Sequence, residues 1–196
     1  ENFNDAFGSL EAPGSTFKLA SLMAALEDKK ITISEKINAK GVYLFHGSKL
    51  TDSNHGMGYG EITIQQAFEK SSNVIAALMD RIYKNDPEKL IARLDAFVIT
   101  KPLGIALTGE ASPDIPRPGD ARWSSLSIPW MAIGYGIRQT PLQTLAFYNA
   151  VANNGKLLRP QFVQEIIRRG ESIKKFNPIV LNEQICSKET IAILKA

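Results

Sequence analysis

The chain has 196 residues, of which 44% are hydrophobic and 22% charged, and its formal net charge is +3. This composition is that of one ordinary globular domain and excludes the disordered and fibrous classes of protein. The single cysteine, Cys186, excludes an internal disulfide framework and a multi-cysteine metal site. The sequence contains no apolar run of about eighteen residues, so no transmembrane helix is predicted. Short basic runs such as Arg168-Arg169 are typical of solvated surface, and no nucleic-acid partner is predicted.

Both ends of the chain are predicted to be cuts within a longer protein. The first residues, Glu1 to Gly8, are mostly polar and include neither an initiator methionine nor a signal peptide. The last residues, 191–196, lie inside an apolar helical pattern that has no cap or breaker. We therefore expect residues 1–196 to be part of a larger domain.

The first half of the chain is predicted to be mainly helical. Pro13-Gly14 is a turn pattern, and Ser15 is expected to cap a helix over 16–26 because its leucines recur at helical spacing. A short helical turn is predicted over 32–37, and an irregular surface excursion over 41–60. Further helices are predicted from a capping box or from apolar spacing over 63–68, 74–83 and 86–97.

The second half contains a long loop, the best-defined helix and one hairpin. Residues 107–129 include four prolines and are predicted to form a loop long enough to be functional. A helix is predicted from Thr140, with Pro141 at its first position, to a left-handed stop at Gly155. Two strands, 162–167 and 173–176, are predicted to form a hairpin, and Ser187 to cap a last helix. The expected fold class is mainly α with one small β-hairpin.

Several common catalytic motifs are absent. His46 and His55 are the only histidines, and both lie in the excursion, where we expect them to be solvated. No Gly-x-Ser-x-Gly elbow, HExxH motif, phosphate-binding loop or dinucleotide fingerprint occurs. The sequence therefore predicts no cofactor and no metal site.

The remaining candidate is a serine nucleophile whose base is a lysine, not a histidine. A serine hydroxyl becomes a good nucleophile when a base takes its proton, and a lysine with a depressed pKa can be that base. Ser15 and Lys18 are three residues apart, which places both side chains on one face of a helix. The positive end of the helix dipole would also favour an oxyanion beside Ser15. We predict Ser15 as nucleophile and Lys18 as its proton-transfer partner.

The Ser-x-x-Lys pattern is weak by itself, because Ser172-Ile-Lys-Lys175 is a second match. That match lies in the predicted hairpin, where residues three apart point to opposite faces of a strand. The surrounding sequence favours Ser15. A Pro-Gly turn places it at the start of a predicted helix, and that apolar helix would bury Lys18, the base candidate.

Ser71-Ser72-Asn73 forms a second polar constellation, in a break between two predicted helices. The Ser71 hydroxyl could relay a proton between Lys18 and a leaving amine. The Asn73 amide could bind a substrate carbonyl. Alone, such a triplet is more often a helix cap, but its pairing with the Ser15 segment favours a functional role.

These segments resemble a known family. Glu11-Ala-Pro-Gly-Ser-Thr-Phe-Lys18 is similar to the active-site segment of penicillin-binding proteins. Their second motif resembles Gly60-Glu-Ile-Thr-Ile-Gln-Gln-Ala-Phe-Glu-Lys-Ser-Ser-Asn-Val74. The segment that follows in class B enzymes resembles Ala132-Ile-Gly-Tyr-Gly-Ile-Arg-Gln-Thr-Pro-Leu-Gln143 together with Ala152-Asn-Asn-Gly-Lys-Leu-Leu-Arg-Pro160. The second motif reads Ser-Ser-Asn in this chain, and the later segment contains Gly-Tyr-Gly. Both features favour the division-specific subgroup of class B enzymes over the elongation subgroup.

The resemblance implies a serine D,D-transpeptidase. It also implies that this chain is a mainly α fragment of the α/β penicillin-binding transpeptidase fold, which serine β-lactamases share. Ser15 would be acylated by a peptidoglycan stem peptide ending in D-Ala-D-Ala, or by a β-lactam, with Lys18 and Ser71 as catalytic residues and Asn73 as a substrate-binding residue. The parent protein would be anchored in the inner membrane, with this domain facing the periplasm and cell-division proteins as partners. The anchor would lie outside this chain.

One departure from the family pattern affects activity. The third motif, Lys-Thr/Ser-Gly, does not occur in these 196 residues. The family's five-stranded sheet is built from strands before Ser15 and after residue 196. We therefore expect most of the central sheet to be missing from this chain, and the chain alone to be inactive or barely reactive.

Two other functions share these motifs. A β-lactamase would need an acid that activates water, and no Glu-x-x-Leu-Asn segment occurs, so that Glu110 is the one acid to consider. A β-lactam sensor or a catalytically silent cell-wall scaffold would keep the same motifs without crosslinking peptidoglycan.

Overall fold

The computed structural model describes residues 4–195; residues 1–3 and 196, which contribute to the prediction of cut ends, lie outside the described residues. The helices are α1 (Asp5–Gly8), a 3₁₀ helix (Gly14–Phe17), α2 (Lys18–Glu27), α3 (Ile64–Glu69), α4 (Val74–Tyr83), α5 (Pro87–Ala96), α6 (Ser127–Met131), α7 (Pro141–Ala152) and α8 (Lys188–Lys195). The strands are β1 (Lys36–Ala39), β2 (Val42–Phe45), β3 (Ser48–Thr51), β4 (Gly60–Thr63), β5 (Leu157–Leu158), β6 (Glu165–Arg168), β7 (Glu171–Lys175) and β8 (Val180–Asn182). More of the described residues lie in helices than in strands, as predicted. Within residues 4–195, no helix has both the length and the apolar character needed to cross a membrane.

Helix α2 lies at the centre of the hydrophobic core. Every residue from Lys18 to Leu26 is buried, and α2 packs against α4, α5 and α8. The apolar side chains of these helices form one continuous cluster, which includes Leu22, Met23, Ile75, Leu78, Met79, Leu90, Leu94 and Phe97. The base candidate Lys18 is therefore carried by the most enclosed element of the fold.

The helix starts predicted at Thr63, Pro87, Thr140 and Ser187 are confirmed. Thr63 and Thr140 each form a reciprocal capping box with the glutamine three residues later. The Ser187 hydroxyl accepts the N–H of Thr190 at the start of α8. Helix α5 begins at Pro87, and α7 ends two residues before a left-handed turn at Asn154-Gly155.

The prediction of a single hairpin is wrong. The predicted hairpin is β6–β7, but among residues 4–195 three further antiparallel pairs form: β1–β4, β2–β3 and β5–β8. In the pairs β1–β4 and β5–β8, the two strands are far apart in sequence. No local turn pattern therefore predicts their pairing. The helical turn predicted over 32–37 is also wrong, because a turn at Ile33-Ser34 leads into strand β1.

The excursion predicted over 41–60 is irregular only in part, since it contains the β2–β3 hairpin. Val42 pairs with Thr51 and Phe45 with Ser48. His46 and Gly47 make the two-residue turn with φ of 45° and 85°, the left-handed geometry that matches strand twist. This hairpin brings the residues that follow β3 to the break between α3 and α4.

Hairpin β6–β7 is largely exposed along both strands. Ile166, Ile167 and Ile173 are 46%, 61% and 60% exposed. Ser172 and Lys175, the second Ser-x-x-Lys match, lie on β7 and are exposed as well. No residue of this pair has the buried environment that would depress a lysine pKa.

Glu27 joins the end of α2 to the start of α8. Its carboxylate accepts hydrogen bonds from the N–H and hydroxyl of Ser187 and from the hydroxyl of Thr190, at 2.6 to 3.2 Å. Burial acts to raise the pKa of Glu27, but the hydrogen bonds from Thr190 and Ser187 prevail and hold it below its usual value.

Replacing Glu27 with Gln is expected to lower the free energy of unfolding by about 1–3 kcal/mol, because the amide turns a donor towards groups that already donate. Urea unfolding at several pH values measures this loss. The difference from wild type should be complete above the pKa of an unfolded glutamate, about 4.3, and disappear as pH falls through the lower folded pKa. Glu189→Gln, which removes an exposed charge from the same helix end, is the control; equal losses in both variants would contradict this role.

Candidate active site

Ser15 lies in a tight turn before α2, not at its cap. Gly14 has a φ of +56°, and the chain then makes one 3₁₀ turn before the α-helix begins at Lys18. The N-cap of α2 is Phe17, with no side-chain capping bond. The prediction that Ser15 caps this helix is therefore wrong, because the 3₁₀ turn shifts the helix start. The exposed Ser15 side chain faces Lys18 and does not cap the helix.

Two later segments hold this turn in place. The Gly14 N–H donates to the Gly134 carbonyl at 3.1 Å. The Tyr148 hydroxyl donates to the Thr16 carbonyl at 2.8 Å. Neither Gly134 nor Tyr148 was predicted to support Ser15, since both contacts join segments far apart in sequence.

The contact between Gly134 and Gly14 is a close approach of two backbones. A Cβ on Gly134 would lie 2.0 Å from the Gly14 carbonyl oxygen, which is far inside van der Waals contact, and the φ of Gly134 is +80°. Gly136, two residues later, has a similar φ of +71° but open space where its Cβ would be. The two backbones can therefore approach each other only because position 134 has no side chain.

The structure brings the four predicted site residues together. The Lys18 amine lies 3.2 Å from the Ser15 hydroxyl, 3.1 Å from the Ser71 hydroxyl and 2.9 Å from the Asn73 amide oxygen. It also donates to the Ser71 carbonyl at 2.6 Å. Ser15 and Ser71 are exposed, whereas Lys18 is 1% exposed. A buried amine thus connects two hydroxyls that solvent and substrate can reach.

Burial lowers the pKa of Lys18 to about 8, although the negative charge of Asp52 acts in the opposite direction. An ammonium group has three hydrogens and cannot donate fully to four acceptors. When the amine is neutral, its lone pair can instead accept a hydroxyl proton. A substantial neutral fraction exists near neutral pH, roughly a tenth at pH 7. The geometry therefore suits proton transfer from Ser15.

Ser71 occupies a strained position. It follows the last turn of α3 with a φ of +52°, where glycine is preferred. The Ser71 N–H donates to the Phe68 carbonyl and the Ser72 N–H to the Ala67 carbonyl, both at 2.8 Å, which is the Schellman arrangement. A left-handed non-glycine residue costs about 1–3 kcal/mol. This backbone turns both the carbonyl and the hydroxyl of Ser71 towards Lys18.

The Asn73 amide is oriented from both sides. Its oxygen accepts from Lys18, while its nitrogen donates to the Thr51 carbonyl at 2.9 Å. An amide nitrogen carries two hydrogens, so one donor remains for a substrate carbonyl.

Asp52 is the site residue that the sequence analysis missed. It is 3% exposed and accepts from the Ser72 hydroxyl at 2.9 Å and from the Asn73 N–H. A local pattern could have pointed to it, because a β-branched and aromatic run followed by His46-Gly47 is a hairpin pattern, and the residue after that hairpin is Asp52.

Other reactive residues are not arranged for catalysis. His46 and His55 are exposed, as predicted. Burial, together with the charge of Glu27, raises the pKa of Cys186 to about 12, so its thiol is not activated. In the part of the chain that the structure describes, no three metal-binding side chains converge.

The chain is similar to known proteins along its whole length. The family model for the penicillin binding protein transpeptidase domain matches residues 1–196. The chain belongs to this family. It is 31% identical to stage V sporulation protein D of Bacillus subtilis, over 96% of the chain and 29% of that protein. The chain thus spans less than a third of the length of this curated relative.

Solved structures show the transpeptidase fold. The D,D-transpeptidase domain of a peptidoglycan glycosyltransferase from Eggerthella lenta matches with a TM-score of 0.85 and 28% identity, over 97% of this chain and 48% of that one. Penicillin-binding protein 3 of Mycobacterium tuberculosis, complexed with aztreonam, matches with a TM-score of 0.79 and 26% identity, over 97% and 41%. The resemblance to class B penicillin-binding proteins is therefore confirmed.

Gly134→Ala should destabilise the protein much more than Gly136→Ala. Both variants place a Cβ on a left-handed residue, at a cost of about 1–3 kcal/mol. The new Cβ of Gly134→Ala also collides with the Gly14 backbone, so the Ser15 turn must move. Urea unfolding of the two variants beside wild type measures the difference. Equal destabilisation would show that the contact between Gly14 and Gly134 adds nothing.

Proposed function

We propose that residues 1–196 supply the acylation side of a D,D-transpeptidase site, with Ser15 as nucleophile. The observation that carries this proposal is the position of the Lys18 amine, within 3.2 Å of both the Ser15 and Ser71 hydroxyls. Lys18 is the proton-transfer partner, Ser71 the relay and Asn73 the substrate-binding residue.

The reaction proceeds by two acyl transfers. The Ser15 oxygen attacks the carbonyl of the penultimate D-Ala of a stem peptide, and its proton passes to the neutral Lys18 amine. The peptide C–N bond breaks, and the proton returns through the Ser71 hydroxyl to the nitrogen of the departing D-Ala. The amine of a second stem peptide then attacks the acyl-enzyme, loses a proton and releases Ser15, which completes the crosslink. A β-lactam undergoes the same first attack, which opens its ring.

The proposal includes the extent of the domain. We propose that residues 1–196 are part of the transpeptidase domain and that most of its central sheet lies outside them. Two observations support this: the strands of residues 4–195 form only two-stranded sheets, and the chain covers 48% of the Eggerthella lenta domain. The third motif, absent from the sequence, would come from the remaining part. The chain alone should then be barely reactive.

The proposal extends to the parent protein. The Ser71-Ser72-Asn73 and Gly134-Tyr135-Gly136 segments favour the septal subgroup of class B enzymes. The parent would be anchored in the inner membrane, with its transpeptidase domain in the periplasm and cell-division proteins as partners.

The geometry argues against a β-lactamase. The two carboxylate oxygens of Glu110 accept from the backbone N–H groups of Leu103 and Ile105. Glu110 is therefore committed to ordering its own loop and is not placed to activate water. The sensor or scaffold alternative shares the acylation geometry but forms no crosslink, so a crosslinking assay with stem-peptide substrates distinguishes it.

Intact mass spectrometry of the full-length parent with benzylpenicillin tests the nucleophile. A stable adduct of one drug mass is expected on wild type and its loss in Ser15→Ala, because the Ser15 oxygen is the atom proposed to carry the acyl group. Ser172→Ala, which removes the serine of the second Ser-x-x-Lys match, should keep the adduct. An adduct that survives in Ser15→Ala, or none on a folded wild-type parent, would refute the proposal.

The acylation rate of the parent should rise with pH through about 8, because the neutral form of Lys18 is the base and the pKa of Lys18 is lowered to about 8. Lys18→Arg keeps a permanent positive charge and should lose roughly 10²–10⁴-fold in rate. Lys175→Arg, at the exposed second match, is the matched control and should behave as wild type. A rate that stays flat between pH 6 and 9 would contradict Lys18 as base.

A further inference from the structure

A buried carboxylate stands behind the Ser71–Asn73 turn. Asp52 follows strand β3 and is 3% exposed. One of its oxygens accepts from the Ser72 hydroxyl at 2.9 Å, and the other from the backbone N–H of Asn73. The Asp52 carboxylate thus binds two consecutive residues of the turn, Ser72 and Asn73. Asn73, together with Ser71 at the start of the turn, contacts Lys18.

The same end of β3 fixes the Asn73 side chain. The Thr51 carbonyl accepts from the Asn73 amide nitrogen at 2.9 Å. Asp52 is itself held, because its N–H donates to the Gly41 carbonyl at 2.8 Å. The end of the β2–β3 hairpin therefore holds both the backbone of Asn73, through Asp52, and its side chain, through the Thr51 carbonyl.

Asp52 also supplies the charge that acts on Lys18. The groups that face the Lys18 amine are Ser15 from its own segment, and Ser71 and Asn73 from the turn. Tyr43, on β2, lies behind Ser72, and burial raises the pKa of its phenol, which stays neutral. The negative charge of Asp52 opposes the effect of burial on the pKa of Lys18.

We propose that Asp52 is a positioning residue that holds the Ser71–Asn73 turn against Lys18 and contributes a negative charge behind that turn. This inference rests on the proposed acyl-transfer function. Asp52 does not contact substrate in this role; it acts through Ser72, Asn73 and Lys18. A merely structural carboxylate would stabilise the fold without affecting the titration of the base.

Asp52→Asn in the full-length parent tests both parts of the proposal. The variant keeps the shape of the side chain but loses its charge and presents an NH₂ group to one of two donors. The plateau rate of acylation by benzylpenicillin should fall by roughly tenfold or more, because the turn is no longer held in register. The midpoint of the pH–rate profile should move to lower pH, because the charge that raises the pKa of Lys18 is gone.

Asp28→Asn is the matched control. Asp28 is a buried carboxylate at the other end of α2, where it accepts from the Tyr83 hydroxyl and the Arg93 guanidinium. Its variant should lower the melting temperature and leave the pH midpoint where it is in wild type. Rates are normalised to the folded fraction measured by urea unfolding.

Ser72→Ala separates the two parts. It removes a hydrogen bond to Asp52 and keeps the charge, so the plateau should fall while the midpoint stays. An Asp52→Asn midpoint equal to that of wild type, or an unchanged plateau in Ser72→Ala, would overturn the inference even if wild type is acylated normally. Should Asp52→Asn not fold, the Ser72→Ala plateau decides the positioning claim. Absence of acylation in wild type would instead refute the proposed function itself.

Discussion

The Lys18 side chain is almost wholly enclosed, and its amine is surrounded by the oxygen atoms of Ser15, Ser71 and Asn73. Placing an ammonium group in such a position is unfavourable unless it is hydrogen-bonded. The surrounding elements provide those bonds: the 3₁₀ turn before α2 brings Ser15, and the turn between α3 and α4 brings the other two. The burial of α2 in the core keeps the amine from moving out to solvent. The position of each site residue follows from satisfying this one buried group.

Left-handed backbone shapes the same region. Gly14, Ser71 and Gly134 all have positive φ, and the two glycines are in direct backbone contact. The conformation costs glycine little, but Ser71 keeps it only where the surrounding structure determines it. Here the helical core on one side and the β2–β3 hairpin on the other provide that support. A site built on rigid elements in this way keeps its side chains close to one geometry.

Local patterns in the sequence predicted the starts of α3, α5, α7 and α8, because a cap, a capping box or a Pro-first start is complete within four residues. Ser15, Lys18, Ser71 and Asn73 were found because they lie in short motifs whose order along the chain resembles a family. The strand pairs β1–β4 and β5–β8, and the contact of Gly134 with Gly14, join segments that are far apart in sequence and leave no local pattern. Asp52 does follow a hairpin pattern. It was missed because its partners, the Ser72 hydroxyl and the Asn73 N–H, lie on another segment, and because the glycine-rich sequence around it is typical of loops.

The enclosure of Lys18 has a consequence for the evolution of such domains. Because burial lowers the pKa of Lys18 to about 8, folding at neutral pH works against the charged form, and the group lowers stability by an amount on the order of a few kcal/mol. An apolar residue such as methionine would fill the same space without that penalty. A homologue that no longer needs the reaction would therefore gain stability by replacing this lysine with an apolar residue. Such a replacement would turn the protein into a catalytically silent scaffold. Under the proposed function, the protein retains this lysine at a cost in stability because the reaction needs its neutral amine.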